Sequence, residues 1–373
     1  MSERCIILLG IGHTNAHVVR EWARKPIPNC RLVCVSTFPK ATYSGMLPGT
    51  LAGQFRPDEM EIDLPRLTAK AGATLVHSEV TGIDWKRQML HLADADSIKF
   101  DVMSVGVGSV PSQIDSVRAE QVVAVKPMQT FLKRLAVHFD KTMPRAGSQM
   151  QISIIGGGVA GLEIAMCLLS GLRFELPLIK IRLRILTADD DVATELPAHA
   201  RAKLRRIIAN RGVEVIRNAR VAEVTECGVM VADGRHYDSD CVIWATGAKA
   251  PPVVDRLELP VDDRGFLLTN STLQSVTGLP VFAVGDTGSI VGATVPKAGV
   301  YAVRQSPVLW HNLQAVLSDE PLMEFRPQRS FLKLLNTGDG KALLQYKSLS
   351  IHARWCWTLK TWIDRRFLRQ FQV

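Results

Sequence analysis

The chain has 373 residues, 47% hydrophobic and 22% charged, which excludes a disordered polypeptide and exceeds what one ordinary core organises, so two or three domains are expected. Its formal net charge is +9 and its pI about 9.3, a balance that admits an anionic membrane or nucleic acid as partner. Seven cysteines, an odd number, argue against a disulfide framework and for reduced thiols in the cytoplasm.

The apolar run at residues 5–11 is too short for a secretory leader and passes directly into His13, Thr14 and Asn15. It reads as a buried strand entering a glycine turn and a helix. Gly10 and Gly12 let the backbone bend and approach a phosphate, and the helix start supplies N–H donors and a positive dipole end. Asn15 stands near the place of the third glycine of that pattern. His13 and His17 share a helix face; with no third ligand nearby, a satisfied pair is expected rather than a metal site. The next strand ends at Ser36, where an acid commonly grips ribose; a hydroxyl can still hydrogen-bond there. Cys30 and Cys34 in that strand lie roughly 13 Å apart, too far for a disulfide, and are expected as core thiols. Residues 101–109 repeat the strand pattern with a small-residue end at Gly108.

A second strand–turn–helix, residues 151–163, carries all three glycines: Gly156, Gly158 and Gly161. The window 152–172 has Glu163 as its only charge and mimics a membrane span. Three adjacent glycines, with β-branched residues before them, fit a buried strand running into a buried helix better. The following strand ends at Thr187, and Asp189, Asp190 and Asp191 after it would repel a 2′-phosphate and favour NADH over NADPH. Residues 240–247 form a strand ending at Gly247. Residues 279–286 form another, ending at Gly285 and Asp286, whose carboxylate is placed for a ribityl or ribose hydroxyl or for capping the next helix. Two glycine turns on one chain suggest that electrons pass between two nucleotide cofactors.

After about residue 321 the pattern changes. Residues 330–346 read as a β-hairpin around Gly338, Asp339 and Gly340, and residues 352–371 as a helix about 30 Å long. Trp355, Leu359, Trp362, Ile363 and Phe367 fall on one stripe interrupted by Arg366. Arg354, Lys360, Arg365, Arg366 and Arg369 oppose the single acid Asp364. This suits an interfacial helix on an anionic membrane surface; packing on its own domain or on a second copy, as a homodimer, is the alternative. No recognised nucleic-acid-binding fold accompanies the charge, so no nucleic acid is expected.

In this order the motifs resemble the two-dinucleotide-binding-domain flavoproteins, the FAD/NAD(P)H pyridine nucleotide-disulfide oxidoreductases, over about residues 5–320. A narrower resemblance covers nearly the whole chain and rests on residues 12–18, 43–49, 296–305 and 362–367. It is to type II NADH dehydrogenases and to the NADH-dehydrogenase-like flavoproteins fused ahead of selenide, water dikinase. The resemblance implies an α/β fold with two Rossmann-like domains and a small C-terminal hairpin-plus-helix region. Residues 1–112 and 250–320 would form a split FAD-binding domain, 113–249 the NAD(P)H-binding domain and 321–373 the tail.

In relatives the first turn and the Gly285–Asp286 strand bind FAD and the second turn binds NAD(P)H. The expected cofactor-binding residues are therefore Gly10, Gly12, Asn15, Ser36, Met46, Pro48, Gly108, Gly156, Gly158, Gly161, Thr187, Gly247, Gly285 and Asp286. Met46, Leu47 and Pro48 would wall the flavin or the acceptor pocket. Glu163 would orient the nicotinamide carboxamide or else pair with a neighbouring helix. Pro296 would open a helix aimed at the flavin pyrimidine ring, with Lys297 beside it to stabilise the reduced, anionic ring. Glu163 and Lys297 are thus the expected catalytic residues, and no metal is expected. Residues 43–49 lack the cysteine pair of the disulfide reductases, which disfavours dithiol chemistry. Sulfide:quinone oxidoreductases need flavin-side cysteines, and none lies between residues 35 and 166. Ala298 and Gly299 stand where type II enzymes carry an alanine–glutamine motif facing quinone. The expected function is an FAD-dependent NAD(P)H dehydrogenase with a membrane quinone as acceptor, cytoplasmic or peripheral on the inner face of the cell membrane. The alternatives are a soluble or selenium-related acceptor, or a flavin-bearing redox sensor with slow turnover.

Overall fold

The computed structural model describes residues 3–113, 120–142, 145, 147–328 and 330–372. The first stretch forms β1 (Arg4–Leu9), α1 (His13–Arg24), β2 (Cys30–Ser36), the short α2 (Leu47–Leu51), β3 (Thr74–His77) and β4 (Val102–Val105). The middle forms β5 (Val122–Ala124), α3 (Met128–Thr142), β6 (Gln149–Ile155), α4 (Val159–Glu175), β7 (Lys180–Leu186), α5 (Ala198–Arg211), β8 (Glu214–Ile216) and β9 (Cys241–Trp244). There follow β10 (Val281–Ala283), α6 (Gly299–Leu317), β11 (Lys333–Asn336), β12 (Ala342–Tyr346), β13 (Leu349–Ala353) and α7 (Arg354–Leu368).

Two five-stranded sheets organise the chain, ordered β10-β4-β1-β2-β3 and β5-β9-β6-β7-β8. Every pairing in both is parallel. β1 and the end of β6 are runs of buried aliphatics, as strands covered on both faces require. In the first sheet the chain winds from β1 to β3 and then returns to the other side of β1; in the second it winds from β6 to β8 and returns to the other side of β6. The order therefore reverses beside β1 and beside β6, and a crevice opens at the carboxyl ends of those strands. The expected α/β class is the observed one.

The chain leaves the first sheet and returns to it through an antiparallel pair, Val110–Pro111 with Ala248–Lys249. The expected boundary at residues 112/113 borders residues 114–119, which lie outside the described residues. Elsewhere two helices from the two halves are in close contact: a Cβ on Gly171 of α4 would stand 2.0 Å from the Leu51 carbonyl of α2, so only glycine permits this approach. A continuous apolar core runs from Ile6 and Leu8 through Ile152, Leu162 and Leu168 to Phe367 and Phe371. The tail is thus part of the same core. All seven cysteines are free, with Cys34 buried in β2 as expected.

Three expectations need correction. The region after residue 330 is a three-stranded antiparallel meander, not a hairpin, because β13 pairs with β12 in the register Leu343↔His352 and Ala342↔Ala353. That pairing claims residues 352 and 353, so the last helix begins at Arg354. The helix expected to open at Pro296 begins at Gly299, with Ala298 still extended at φ −143° and ψ 140°. The window 152–172 is strand and helix; no helix among the described residues is long and apolar enough to cross a membrane.

Candidate functional site

The first turn is built at the carboxyl end of β1. Gly10 adopts φ +76°, and a Cβ there would stand 2.8 Å from the Gly106 carbonyl, so β1 and β4 close together over it. α1 starts at His13 with no side-chain cap, which leaves its first N–H groups open to a ligand. Asn15 does not reach into that opening. It is fully buried; its amide donates to the Gly10 carbonyl at 2.7 Å and its oxygen accepts from Ser104 Oγ at 2.8 Å. The Asn15 side chain thus shapes the turn from within. Ser36 Oγ donates to the Phe38 carbonyl at 2.8 Å and accepts from the Phe38 N–H at 3.2 Å, closing a local turn at the end of β2.

Asp286 follows β10 and faces the same opening. Its Oδ2 accepts from Ser109 Oγ at 2.7 Å and from Lys126 Nζ at 3.1 Å. Burial pushes its carboxyl up, but Lys126 and the two hydrogen bonds outweigh burial and hold it below the ordinary value. The carboxylate caps no helix, since the short turn Gly285–Thr287 has no side-chain cap. The Gly285 N–H donates to Gln305 Oε1 at 2.6 Å, and the Gly108 N–H to Thr287 Oγ1 at 2.9 Å. Lys126 comes from the end of β5 in the second sheet and was not singled out in the sequence. Only the Val-Lys-Pro sequence that closes β5 marks it, and that says nothing of a partner 160 residues away.

Lys297 Nζ donates to the Gly288 carbonyl at 2.6 Å and lies 3.9 Å from the centroid of the Phe266 ring. Burial lowers it to about 8 against the pull of Asp286 and Asp262. Met46 and Pro48 are buried, Met46 completely, and line the core behind residues 43–49.

The second turn is tighter. Gly156 adopts φ +124°, and a Cβ there would stand 2.3 Å from the Ala245 carbonyl. Gly161 packs against Gly156, while Gly158, the N-cap of α4, faces open space bounded by Glu195. The Val159 N–H at the start of α4 donates to Glu195 Oε1 at 2.8 Å. Thr187 is buried against Gly157, and its Oγ1 accepts from the Asp189 N–H at 3.3 Å. Gly247 lies in the returning linker, its carbonyl accepting from the Ser112 N–H at 2.6 Å. Asp191 pairs with Arg205 at 3.1 Å and Arg201 at 3.7 Å, and Arg217 reaches the Asp190 carbonyl at 3.4 Å. Of the three carboxylates, that of Asp191 is thus countered by arginines, which weakens the charge expected to favour NADH over NADPH.

Glu163 sits on α4 and is buried among the tail elements. Its Oε1 accepts from the Asn336 N–H at the end of β11 at 2.7 Å. Burial raises it to about 7, opposed by Lys360 and the Asn336 N–H. Lys360, expected among the exposed basic residues of the tail, is buried instead. It donates to the Gly45 carbonyl at 2.7 Å and to Asp364 Oδ2 at 2.9 Å, and Tyr43 Oη donates to Asp364 Oδ1 at 3.0 Å. The i,i+4 spacing of Lys360 and Asp364 resembles an ordinary surface pair, so spacing alone does not foretell that the pair is covered. Gln54 Oε1 accepts from both Asn336 Nδ2 at 2.7 Å and Trp357 Nε1 at 2.9 Å. One polar network thus ties residues 43–54, α4, β11 and α7 together.

His13 and His17 lie beneath α7 in a cluster with Tyr43, Phe367 and Phe371. They were expected to be satisfied, yet the Nε2 of each is buried without a hydrogen-bond partner. No group of three or more metal-ligating side chains occurs among the described residues.

Comparison with known proteins adds four findings. The sequence profile of the pyridine nucleotide-disulphide oxidoreductase family matches residues 5–313. The chain is 26% identical over 293 residues to the demethylphylloquinone reductase of Synechocystis, covering 74% of this chain and 70% of that one. In fold it is similar to the sulfide:quinone oxidoreductase of Aquifex aeolicus, with a TM-score of 0.81 at 15% identity over 99% of this chain and 91% of that one. It is also similar in fold to NDH2 of Plasmodium falciparum in complex with NADH, with a TM-score of 0.79 at 13% identity, covering 99% and 97% of the two chains.

Proposed function

Since the chain belongs to the pyridine nucleotide-disulphide oxidoreductase family, we propose that it is an FAD-dependent NAD(P)H dehydrogenase that delivers electrons to a quinone. The observation that carries this reading is the pair of glycine turns, each at the carboxyl edge of its own parallel sheet where the strand order reverses. At the first, the uncapped start of α1, the close-packed Gly10 turn and Asp286 fit a dinucleotide diphosphate and its polyol. The orphaned His13 Nε2 beside them supports the same fit. A bound FAD would supply the redox chemistry, taking hydride from NAD(P)H and releasing electrons to the acceptor. The protein's own residues hold the partners: Gly10, Gly12, Gly108, Gly285 and Asp286 around the flavin dinucleotide, and Gly156, Gly158, Gly161, Thr187 and Gly247 around the nicotinamide one.

We assign residues 1–112 and 250–320 to flavin binding, 113–249 to NAD(P)H binding and 321–373 to the tail. Quinone as acceptor is supported by the Synechocystis relative, whose name gives a quinone as its substrate. It is supported also by the outward face of α7, where Trp355, Trp362 and Ile363 are 51%, 55% and 36% exposed. Arg354, Arg366 and Arg369 are exposed at the two ends of the same helix. Aromatic rings with arginines at their edge suit the headgroup layer of an anionic membrane, which would place the protein on the inner face of the cell membrane.

Anaerobic stopped-flow mixing with NADH or NADPH tests the reading. Oxidised-flavin absorbance should bleach rapidly and return on addition of a water-soluble quinone. Colourless protein that takes up no FAD would refute it. A long-lived charge-transfer band with slow turnover would favour a redox sensor instead.

A further inference from the structure

His13 is the first residue of α1, and its ring is held by two other elements. Its centroid lies 5.3 Å from that of Tyr43 and 5.5 Å from that of Phe367 on α7. Its Nε2 is shielded from solvent with no hydrogen-bond partner, and a Cβ on Gly299 would stand 3.7 Å from that nitrogen. Gly299 opens α6, whose N-cap Ala298 provides no side-chain cap. Two uncapped helix starts and an orphaned imidazole nitrogen therefore meet at one place, where the charges of Asp286 and Lys126 are also felt. Leaving a buried polar atom without a partner is costly, so the arrangement calls for a partner from outside the chain. Burial lowers the imidazole to about 4, with Asp286 raising it and Lys126 lowering it. The ring is neutral at physiological pH and carries one N–H to give.

We propose that His13 Nε2–H donates a hydrogen bond to an electron-rich oxygen of bound FAD, alongside the first N–H groups of α6, with Tyr43 and Phe367 fixing the plane of the ring. The oxygen belongs either to the diphosphate or to a carbonyl of the isoalloxazine. This rests on the flavin reading above and makes His13 a positioning residue of this chain.

The test compares wild type with His13→Phe, which keeps an aromatic ring against Tyr43 but removes the donor, and with His13→Gln, which restores one. Loss of one such bond should weaken FAD about tenfold if the oxygen is on the diphosphate, with the flavin potential unchanged. If the oxygen is on the isoalloxazine, the midpoint potential should instead fall by about 30 mV, the equivalent of tenfold for a two-electron couple. In either case His13→Gln should recover most of the loss. In wild type carrying nitrogen-15 histidine, the Nε2 resonance of His13 should move on FAD uptake, which reads the contact without a variant having to fold. A flavoprotein in which His13→Phe alters neither affinity nor potential, or in which that resonance stays put, overturns the assignment alone. Wild type that takes up no FAD overturns this assignment and the functional reading together.

Discussion

Gly158 differs from the other two glycines of the second turn in what a side chain there would meet. On Gly156 or Gly161 a Cβ would press into backbone carbonyls at 2.3 and 2.2 Å, whereas on Gly158 its nearest neighbour is a carboxylate oxygen at 3.8 Å. Gly158→Val should therefore fold, with Tm within about 2 °C of wild type, and keep its flavin. It should lower kcat/KM for NAD(P)H about 100-fold by holding the dinucleotide off the helix start. Unchanged kinetics in a variant confirmed by mass would show that the dinucleotide binds elsewhere. This glycine was legible in the sequence because backbone approach to a phosphate demands glycine at a fixed spacing. Lys126 and Lys360 were not. Lys126 meets Asp286 from a remote strand and Lys360 the Gly45 carbonyl from a remote loop, and nothing local separates a lysine that will be covered from one that will be solvated. Asn15 was legible as a departure from the glycine pattern, but its role as an internal clasp depends on Ser104 across the sheet.

The last helix shows how an element can be read correctly in kind and still be turned the wrong way. Its stripe of Trp355, Trp362, Ile363 and Phe367 was legible, yet Phe367 is 9% exposed and packs on His13, His17 and Tyr43. Cys356 and Leu368 are buried on the same inner face. Periodicity gives the stripe but not which part of it the rest of the chain will cover. Phe367→Ala should destabilise the protein by about 3–5 kcal/mol in urea denaturation, the range for a buried phenylalanine. The double variant Trp355→Ser, Trp362→Ser should change stability by no more than about 1 kcal/mol while losing cosedimentation with anionic vesicles. Vesicle binding that survives the double variant would remove the outer face of α7 as the membrane contact. The meander before this helix was half legible: two strands and their Gly-Asp-Gly turn followed from composition. The third strand, five residues long and adjoining a helix, carried too few residues to show its period.

Across the whole molecule, the two parallel sheets were the most legible feature, since long buried aliphatic runs broken by glycine turns admit few other architectures. How the sheets and tail are fastened was not, because the fastening is a polar network around Glu163. That carboxyl faces Lys360 and Asp364 of α7, the Asn336 N–H of β11 and Cys167 on its own helix. Its value rises from an ordinary 4.5 to about 7. Between those pH values the unfolded chain has released a proton that the folded protein retains, so stability declines as pH rises through the interval. The full difference is about 3 kcal/mol. Glu163→Gln should flatten that decline in denaturation midpoints measured from about pH 5 to pH 8. Curves for variant and wild type that fall in parallel would show that Glu163 does not set the slope.

Glu195 adds a consequence for how the nicotinamide side operates. Its carboxylate takes the Val159 N–H while its own carbonyl accepts from Lys333 of β11 at 3.4 Å. One amide proton serves a single anion at a time, so a phosphate seated at this helix start would take the place of the Glu195 carboxylate. That residue is tethered to the tail meander. A dinucleotide seated there would therefore displace a side chain whose own residue is joined to the strand that precedes the tryptophan-bearing helix.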